Sequence, residues 1–379
     1  MPQFSQRCQN LSPSLIREIL SIIDKPGMVS FAGGLPAPET LSIPSLEGLP
    51  ASLLQYGPAE GELELRQLIC ADLDAAGLHC SSEQILILSG SQQGIDLVAK
   101  LFVDPGTLVA LESPTYLAAL QVFRFFGATF TPLEKAIENC SNIQHESPAL
   151  IYAQPTFQNP TGHCYSRKER QALADYCLEL KVPLFEDDPY RDLVFEECER
   201  RPVCSNLHSG TWVYQSSFSK TFAPGLRLGY LACSADLIAP LTRLKQAADL
   251  HSNRISQWLV MEQLKNPQRK TQRETLAATY KKKRDNFAAL LNENFSDLAT
   301  WPSPKGGLFF WLALKRKTDT HTLLAKAIEA NVAFMPGESF FPFTTNQDST
   351  SNIRLNFSHA STEAAEYGLK TLAALVRCN

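Results

Sequence analysis

The sequence predicts an α/β protein: a large domain with a mostly parallel central sheet flanked by helices, followed by a smaller α+β domain. Three observations carry this. From about Tyr56 to about Asn266, short β-branched or apolar runs alternate with helical patterns, which is the mark of βαβ units. Beyond them the order changes: a long polar-apolar helix around Lys270 to Phe295, strand-like FFWLAL, a helix from Thr320, strand-like NVAFMP and IRLNFS, and a final helix. A chain of 379 residues, 44% hydrophobic, is long enough to bury two cores. The boundaries expected are an N-terminal arm and helix over 1–44 packing on the small domain, a large domain over 45–270, and a small domain over 271–379.

The first helix is expected to start at Ser12 as N-cap with Pro13 at its first position, Ile16, Ile19, Leu20 and Ile23 following at helical spacing. The stretch GGLPAPETLSIP after it is short enough to be an ordered crossing segment. Thirty-five basic against thirty-nine acidic side chains give a net charge of -4, with no basic block that would point to nucleic acid or an anionic membrane. No signal peptide and no apolar run of about 18 residues are visible, so a cytoplasmic protein with a small-molecule partner is expected. Ten cysteines without any C-x-x-C pair argue against a zinc site or a disulfide framework, and read as free, mostly buried thiols; no metal is expected.

The informative pattern is where polar residues stand relative to strand-like runs. QILIL ends in SGSQQG, ALIY in AQPTFQNPTG, VPLF in EDDPY, and WVYQ in SSFSKTFAPGLR. In an open parallel sheet the C-terminal strand ends line the ligand crevice, so four strands deliver these groups to one edge. Together they suit a phosphorylated aromatic aldehyde. Gly90, Ser91 and Gln92 precede an apparent helix, GIDLVAKLF, whose free N–H groups favour a phosphate, with Ser217, Ser219 and Arg227 as further donors. Asp187 suits a protonated ring nitrogen, Tyr190 and Asn159 a ring hydroxyl, and Tyr116 the ring face. Lys220, near other cations and partly desolvated, suits a nucleophilic amine. Taken singly each has a bland reading, a surface lysine, a capping aspartate or an NPTG turn; in this order on successive strand ends they do not.

The segments SFSKTFAPGLRLGY, QNPTG, EDDPY, GSQQG, ESPTY, SFAGGLP and RLNFS together resemble the class I/II aminotransferases of fold type I, and within them the branch of 2-aminoadipate aminotransferase and kynurenine aminotransferase II. The likeness runs from about Ser12 to the C-terminus. It implies a pyridoxal 5′-phosphate (PLP) enzyme in which Lys220 bonds the cofactor, Asp187 pairs with the ring nitrogen, and Asn159 and Tyr190 contact the ring hydroxyl. Tyr116 stacks on the ring, and Ser91, Gln92, Ser217 and Arg227 hold the phosphate. Arg354 binds the substrate α-carboxylate, which suits a guanidinium fork, the alternative being a strand-edge salt bridge. Gly34 of SFAGGLP stands among the substrate contacts. The resemblance also implies a homodimer with shared active sites, Tyr56 reaching the neighbouring subunit's phosphate and His251 and Ser252 lying at the boundary. Arg17 in SLIREIL matches an arginine that recognises a distal carboxylate; an exposed helix arginine beside Glu18 is the alternative. Ile43-Pro44, where relatives often have Phe-Pro, and His163 and Cys164 after NPTG bear on substrate preference.

The expected reaction is ping-pong transamination from 2-aminoadipate, glutamate, an aromatic or a branched aliphatic amino acid to a 2-oxo acid such as 2-oxoglutarate. Two rivals stand beside it. A β-eliminating PLP lyase shares the cofactor and much of the fold. A PLP-binding sensor module of the kind fused behind a winged helix in bacterial regulators needs a DNA-binding domain, and fewer than 30 residues precede Ser30.

Overall fold

The computed structural model describes residues 4–9, 25–41, 44–138, 147–343 and 351–378. The helix expected from Ser12, with Arg17 on it, lies outside the described residues, as does Ile43.

A seven-stranded sheet forms the larger layer. In chain order its strands are Ile85–Leu88, Leu108–Leu111, Thr129–Pro132, Leu150–Ala153, Leu184–Asp187, Trp212–Ser217 and Gly229–Cys233. In space Gly229–Cys233 sits between Ile85–Leu88 and Trp212–Ser217 and runs antiparallel to both, while the remaining pairings are parallel. Ile85–Leu88, Leu150–Ala153 and Leu184–Asp187 are buried along their whole length, as a sheet covered on both faces requires. Alternation sorts their side chains between two cores. Ile85 and Ile87 pack with Ile69, Leu73 and Trp258 on one face, and Leu86 and Leu88 with Ile95, Val98 and Phe123 on the other.

Helices Leu63–Ala75, Ser91–Phe102, Leu117–Phe125, Arg167–Leu180, Ala235–Asp249 and Arg254–Lys265 accompany this sheet. Two have clear start signals. Ser166 and Glu169 form a reciprocal capping box, and Asn253 accepts from the backbone of Ser256.

The long helix Arg269–Phe295 leads to a second, four-stranded antiparallel sheet. Its spatial order is Met335–Pro336, Asn352–Asn356, Phe309–Leu314, Ala299–Thr300. Helix Thr362–Arg377 packs over it, with Leu369, Leu372 and Val376 meeting Phe287, Leu291, Phe310 and Ile353 in one core. NVAFMP, expected as one strand, is split. Val332–Ala333 pairs in parallel with Val29–Ser30 from the N-terminal segment, and only Met335–Pro336 joins the four-stranded sheet.

The expectation of mostly buried thiols needs correction: Cys177, Cys204 and Cys233 are buried, but Cys70, Cys80, Cys164 and Cys198 are partly exposed and Cys8 and Cys378 exposed. Among the described residues no helix is long and apolar enough to cross a membrane.

Candidate active site

The C-terminal ends of the parallel strands open into a cavity of about 310 Å³. Its walls carry Ser91, Gln92, Tyr116, Asn159, Asp187, Tyr190, Ser217, Ser219, Lys220, Arg227, Gly34 and Arg354, so twelve residues singled out in the sequence meet in one place. Tyr56 does not join them within this chain: it is 76% exposed, edge-on to His251 with ring centroids 5.9 Å apart. Ala32, Gly33, Leu35, Gln154, Pro189, Pro224 and Met335 complete the wall and had not been singled out.

Lys220 follows the strand Trp212–Ser217 in a tight turn closed by Phe222 N–H to Phe218 O at 3.0 Å. Its Nζ donates to Gly34 O at 2.7 Å. Desolvation, then the positive charges of Arg227 and Arg354, push its pKa down to about 8. A cluster of cations around a half-buried amine makes that amine less costly to keep neutral, and a neutral amine is the nucleophile.

Asp187 ends the strand Leu184–Asp187 and is 2% exposed. Its Oδ2 accepts from Tyr152 Oη and Gln154 Nε2, each at 2.8 Å, and its Oδ1 from Gln215 Nε2 at 2.9 Å. Burial raises its pKa, and these three donors oppose the rise. Tyr116, pushed up to about 12 by burial, and Tyr190, raised by burial, both stay phenols at neutral pH.

The helix at the mouth begins at Ser91, three residues before the GIDLVAKLF expected, so Ser91 and Gln92 lie inside its first turn. The first N–H groups of a helix have no acceptor within it and present a positive dipole end. Gly90 precedes it with φ 84°, and a Cβ there would collide with the Arg227 guanidinium. Glycine is therefore needed twice over, for the backbone and for the room that brings Arg227 to the helix end. Arg227 is itself left-handed at φ 49°, a conformation costing about 1 kcal/mol for a residue with a side chain. Ser217 Oγ donates to Ser219 Oγ at 3.0 Å beside it.

Arg354 closes the opposite side from the strand Asn352–Asn356. Its guanidinium lies over the Phe309 ring at 4.2 Å and the Phe340 ring at 5.0 Å, so two aromatic rings pack against the fork. Nη1 donates to Asn159 Oδ1 at 2.7 Å and Nη2 to Ala32 O. Nε is buried and has no partner. Burial pulls the pKa down to about 10, which leaves the group charged at neutral pH. Among the described residues the strand-edge salt bridge set against the ligand reading is not formed: Arg354 donates to an amide oxygen and a carbonyl.

Comparison with known proteins agrees with this geometry. Residues 41–372 match the family model for aminotransferase class I and II. The aromatic-amino-acid aminotransferase 1 of Thermococcus litoralis is 32% identical, over 99% of this chain and 94% of that protein. The 2-aminoadipate transaminase of Thermus thermophilus is 34% identical, over 99% and 96%. A crystal structure of α-aminoadipate aminotransferase from Thermus thermophilus, complexed with N-(5′-phosphopyridoxyl)-L-leucine, superposes with a TM-score of 0.88 at 32% identity, covering 99% of this chain and 97% of that one. A cavity that gathers a weakly basic lysine, a buried carboxylate and a guanidinium at the strand ends, in a chain so matched along its length, identifies it: it belongs to the class I and II aminotransferases, fold-type I enzymes that use pyridoxal 5′-phosphate.

Proposed function

We propose that this protein is a homodimeric cytoplasmic aminotransferase that moves the amino group of an L-amino acid to a 2-oxo acid such as 2-oxoglutarate, by ping-pong half-reactions at one site. The arm (1–44), large domain (45–270) and small domain (271–379) of the sequence reading belong to the same proposal. The observation that carries it is the meeting, in one cavity, of the Lys220 amine with the Arg354 guanidinium whose Nε is buried and unpartnered. A buried donor left free costs about 1–3 kcal/mol, and a carboxylate arriving in the plane of the fork removes that cost.

The residues present fit PLP. Ser91, Gln92, Ser217, Ser219 and Arg227 would hold its phosphate at the helix end, Asp187 its ring nitrogen, Asn159 and Tyr190 its ring hydroxyl, and Tyr116 its ring face. When bound, PLP supplies an electron sink for the bond broken at the amino acid's Cα. Arg354 orients the α-carboxylate so that the Cα–H bond faces Lys220, Gly34 O being the neighbour that already holds the Lys220 amine on that side. Lys220 would take up the Cα proton and hold it for return, a role its lowered basicity supports.

Donor preference among 2-aminoadipate, glutamate, aromatic and branched aliphatic amino acids is set beyond this core, and Arg17 is the proposed reader of a second carboxylate. Tyr56, exposed beside His251 and Leu54, is the proposed contribution to the neighbouring subunit. The test is a half-reaction. Purified PLP-loaded protein is mixed with single amino acids and no oxo acid, and its visible band is followed. The band is expected to be lost with productive donors and restored by 2-oxoglutarate. Release of ammonia and a 2-oxo acid without restoration would instead establish an eliminating lyase, and binding without conversion a sensor.

A further inference from the structure

The side chains that hold Asp187 have no part in the reading above, yet they form a cup with a definite chemical preference. Tyr152, Gln154 and Gln215 are each at most 1% exposed. They come from strands on either side of Asp187, and Gln215 is its register partner across the parallel pairing. Each presents a hydrogen to a carboxyl oxygen. A neutral carboxylic acid would bring its own proton against one of these donors. The hydroxyl of Tyr152 can rotate away; the Gln154 amide cannot turn its oxygen toward the acid without giving up the bond from Asn159 N–H.

Two further contacts show that this arrangement is specified. A Cβ on Gly94 would collide with Gln215 Oε1, so glycine at 94 is what admits Gln215 to its place beside Asp187. Gln154 is joined at both ends: its backbone N–H donates to Glu112 Oε2 at 2.9 Å, and its side-chain Oε1 accepts from Asn159 N–H at 3.2 Å. Asn159 Oδ1 in turn holds Arg354. A continuous chain of hydrogen bonds therefore runs from Asp187 through Gln154 and Asn159 to Arg354.

We propose that Tyr152, Gln154 and Gln215 are positioning residues for the reaction: the three hold Asp187 as an anion aimed into the cavity, and Gln154 also ties that anion to Asn159 and so to Arg354. This rests on the reading that Asp187 faces the cofactor's ring nitrogen. The other titratable groups facing the cavity and the cup are Tyr116, Tyr190, Lys220, Arg227 and Arg354, with Glu112 behind Gln154, all left in place in the variants below.

The experiment compares Tyr152→Phe, Gln215→Met, Gln154→Glu and Gln154→Met in the PLP-loaded enzyme. It reads the pH midpoint of the visible band, then kcat and KM for a donor. Losing one donor makes Asp187 a weaker anion, the ring less fully protonated and the nitrogen bonded to it at Lys220 more basic. Tyr152→Phe and Gln215→Met are therefore expected to raise the band's midpoint by about 0.5 unit or more and to lower kcat about ten- to a hundredfold with KM little changed. Gln154→Glu keeps an acceptor for Asn159 but sets a second carboxyl against Asp187, where the buried pair shares one proton, so it should lower kcat with KM little changed. Gln154→Met loses both and should raise KM about tenfold as well. Tyr152→Phe is nearly isosteric and guards against a fold defect. A midpoint unmoved and kcat within about twofold in both Tyr152→Phe and Gln215→Met overturns the cup, and equal KM values in the two Gln154 variants overturn the tie to Arg354. Full activity in Asp187→Asn would instead sink the underlying reading of Asp187.

Discussion

The two charged ends of the cavity are built on opposite plans. Asp187 ends a strand inside the seven-stranded sheet, and both of its oxygens are already occupied by donors of its own chain. Arg354 stands on the four-stranded sheet, packed against the rings of Phe309 and Phe340, with one N–H buried and unanswered. The first end is held in place before any ligand arrives, three donors leaving one acceptor position on Oδ1; the second is finished by the ligand. The difference teaches where to look for each function, since a site held in advance takes a permanent group and an unfinished one binds something that comes and goes.

The largest effect tests what lies between them. Lys220→Ala is expected to remove the visible band and lower transamination by more than about a thousandfold, measured in the half-reaction. Asp187→Asn acts on the end held in advance. It should retain PLP on gel filtration, because the phosphate contacts remain, while kcat falls about a hundredfold or more. Arg354→Lys acts on the unfinished end: the charge stays but the fork is lost, and KM for the donor should rise about thirtyfold, near 2 kcal/mol, with kcat changed far less. If Asp187→Asn moved KM and Arg354→Lys moved kcat, the contrast between the ends would be wrong.

A smaller effect appears without cofactor. The folded pKa of Lys220, about 8, lies below its ordinary 10.5. Between those values the unfolded chain binds more protons than the folded one, so this group's contribution to stability rises with pH through that window. Lys220→Met should abolish that rise, worth about 2 kcal/mol after solvent screening, in urea titrations of cofactor-free protein at pH 7.5 and pH 10. The smallest is selective: Arg17→Ala should weaken 2-aminoadipate or glutamate about tenfold relative to an aromatic donor in competition assays. Equal loss for both donors removes Arg17 from substrate recognition.

Much of this was legible because the chemistry stands at strand ends, where an apolar run stops at a polar cluster. Asp187 ends the strand LFED, and Asn159 and Lys220 come after LIYA and WVYQSS, close to the runs VPLF, ALIY and WVYQ of the reading. The direction of Gly229–Cys233 was not legible, since alternation reports which face a side chain takes and not which way its strand runs. The split of NVAFMP was hidden for a related reason: pairing with Val29–Ser30 is a contact across some three hundred residues. Tyr152, Gln154 and Gln215 were missed although each stood in a quoted segment. The overlooked signal was glutamine beside or within strands otherwise apolar, where a buried amide must have a partner.

The segment from Val29 to Leu35 is fastened to the smaller sheet and to the short strand Val332–Ala333 beside it. Val29–Ser30 pairs with Val332–Ala333, Asn356 N–H donates to Phe31 O at 2.8 Å, Ser358 Oγ to Leu35 O at 2.6 Å, and Arg354 to Ala32 O. Against this unit the larger sheet's loops place two polar latches at the cavity, Lys220 on Gly34 O and Asn159 on Arg354. Both are made by the groups that a cofactor and a substrate carboxylate would claim. A cofactor bonded to Lys220 would thus spend the first latch and leave Asn159 on Arg354 as the protein's own tie across the cavity.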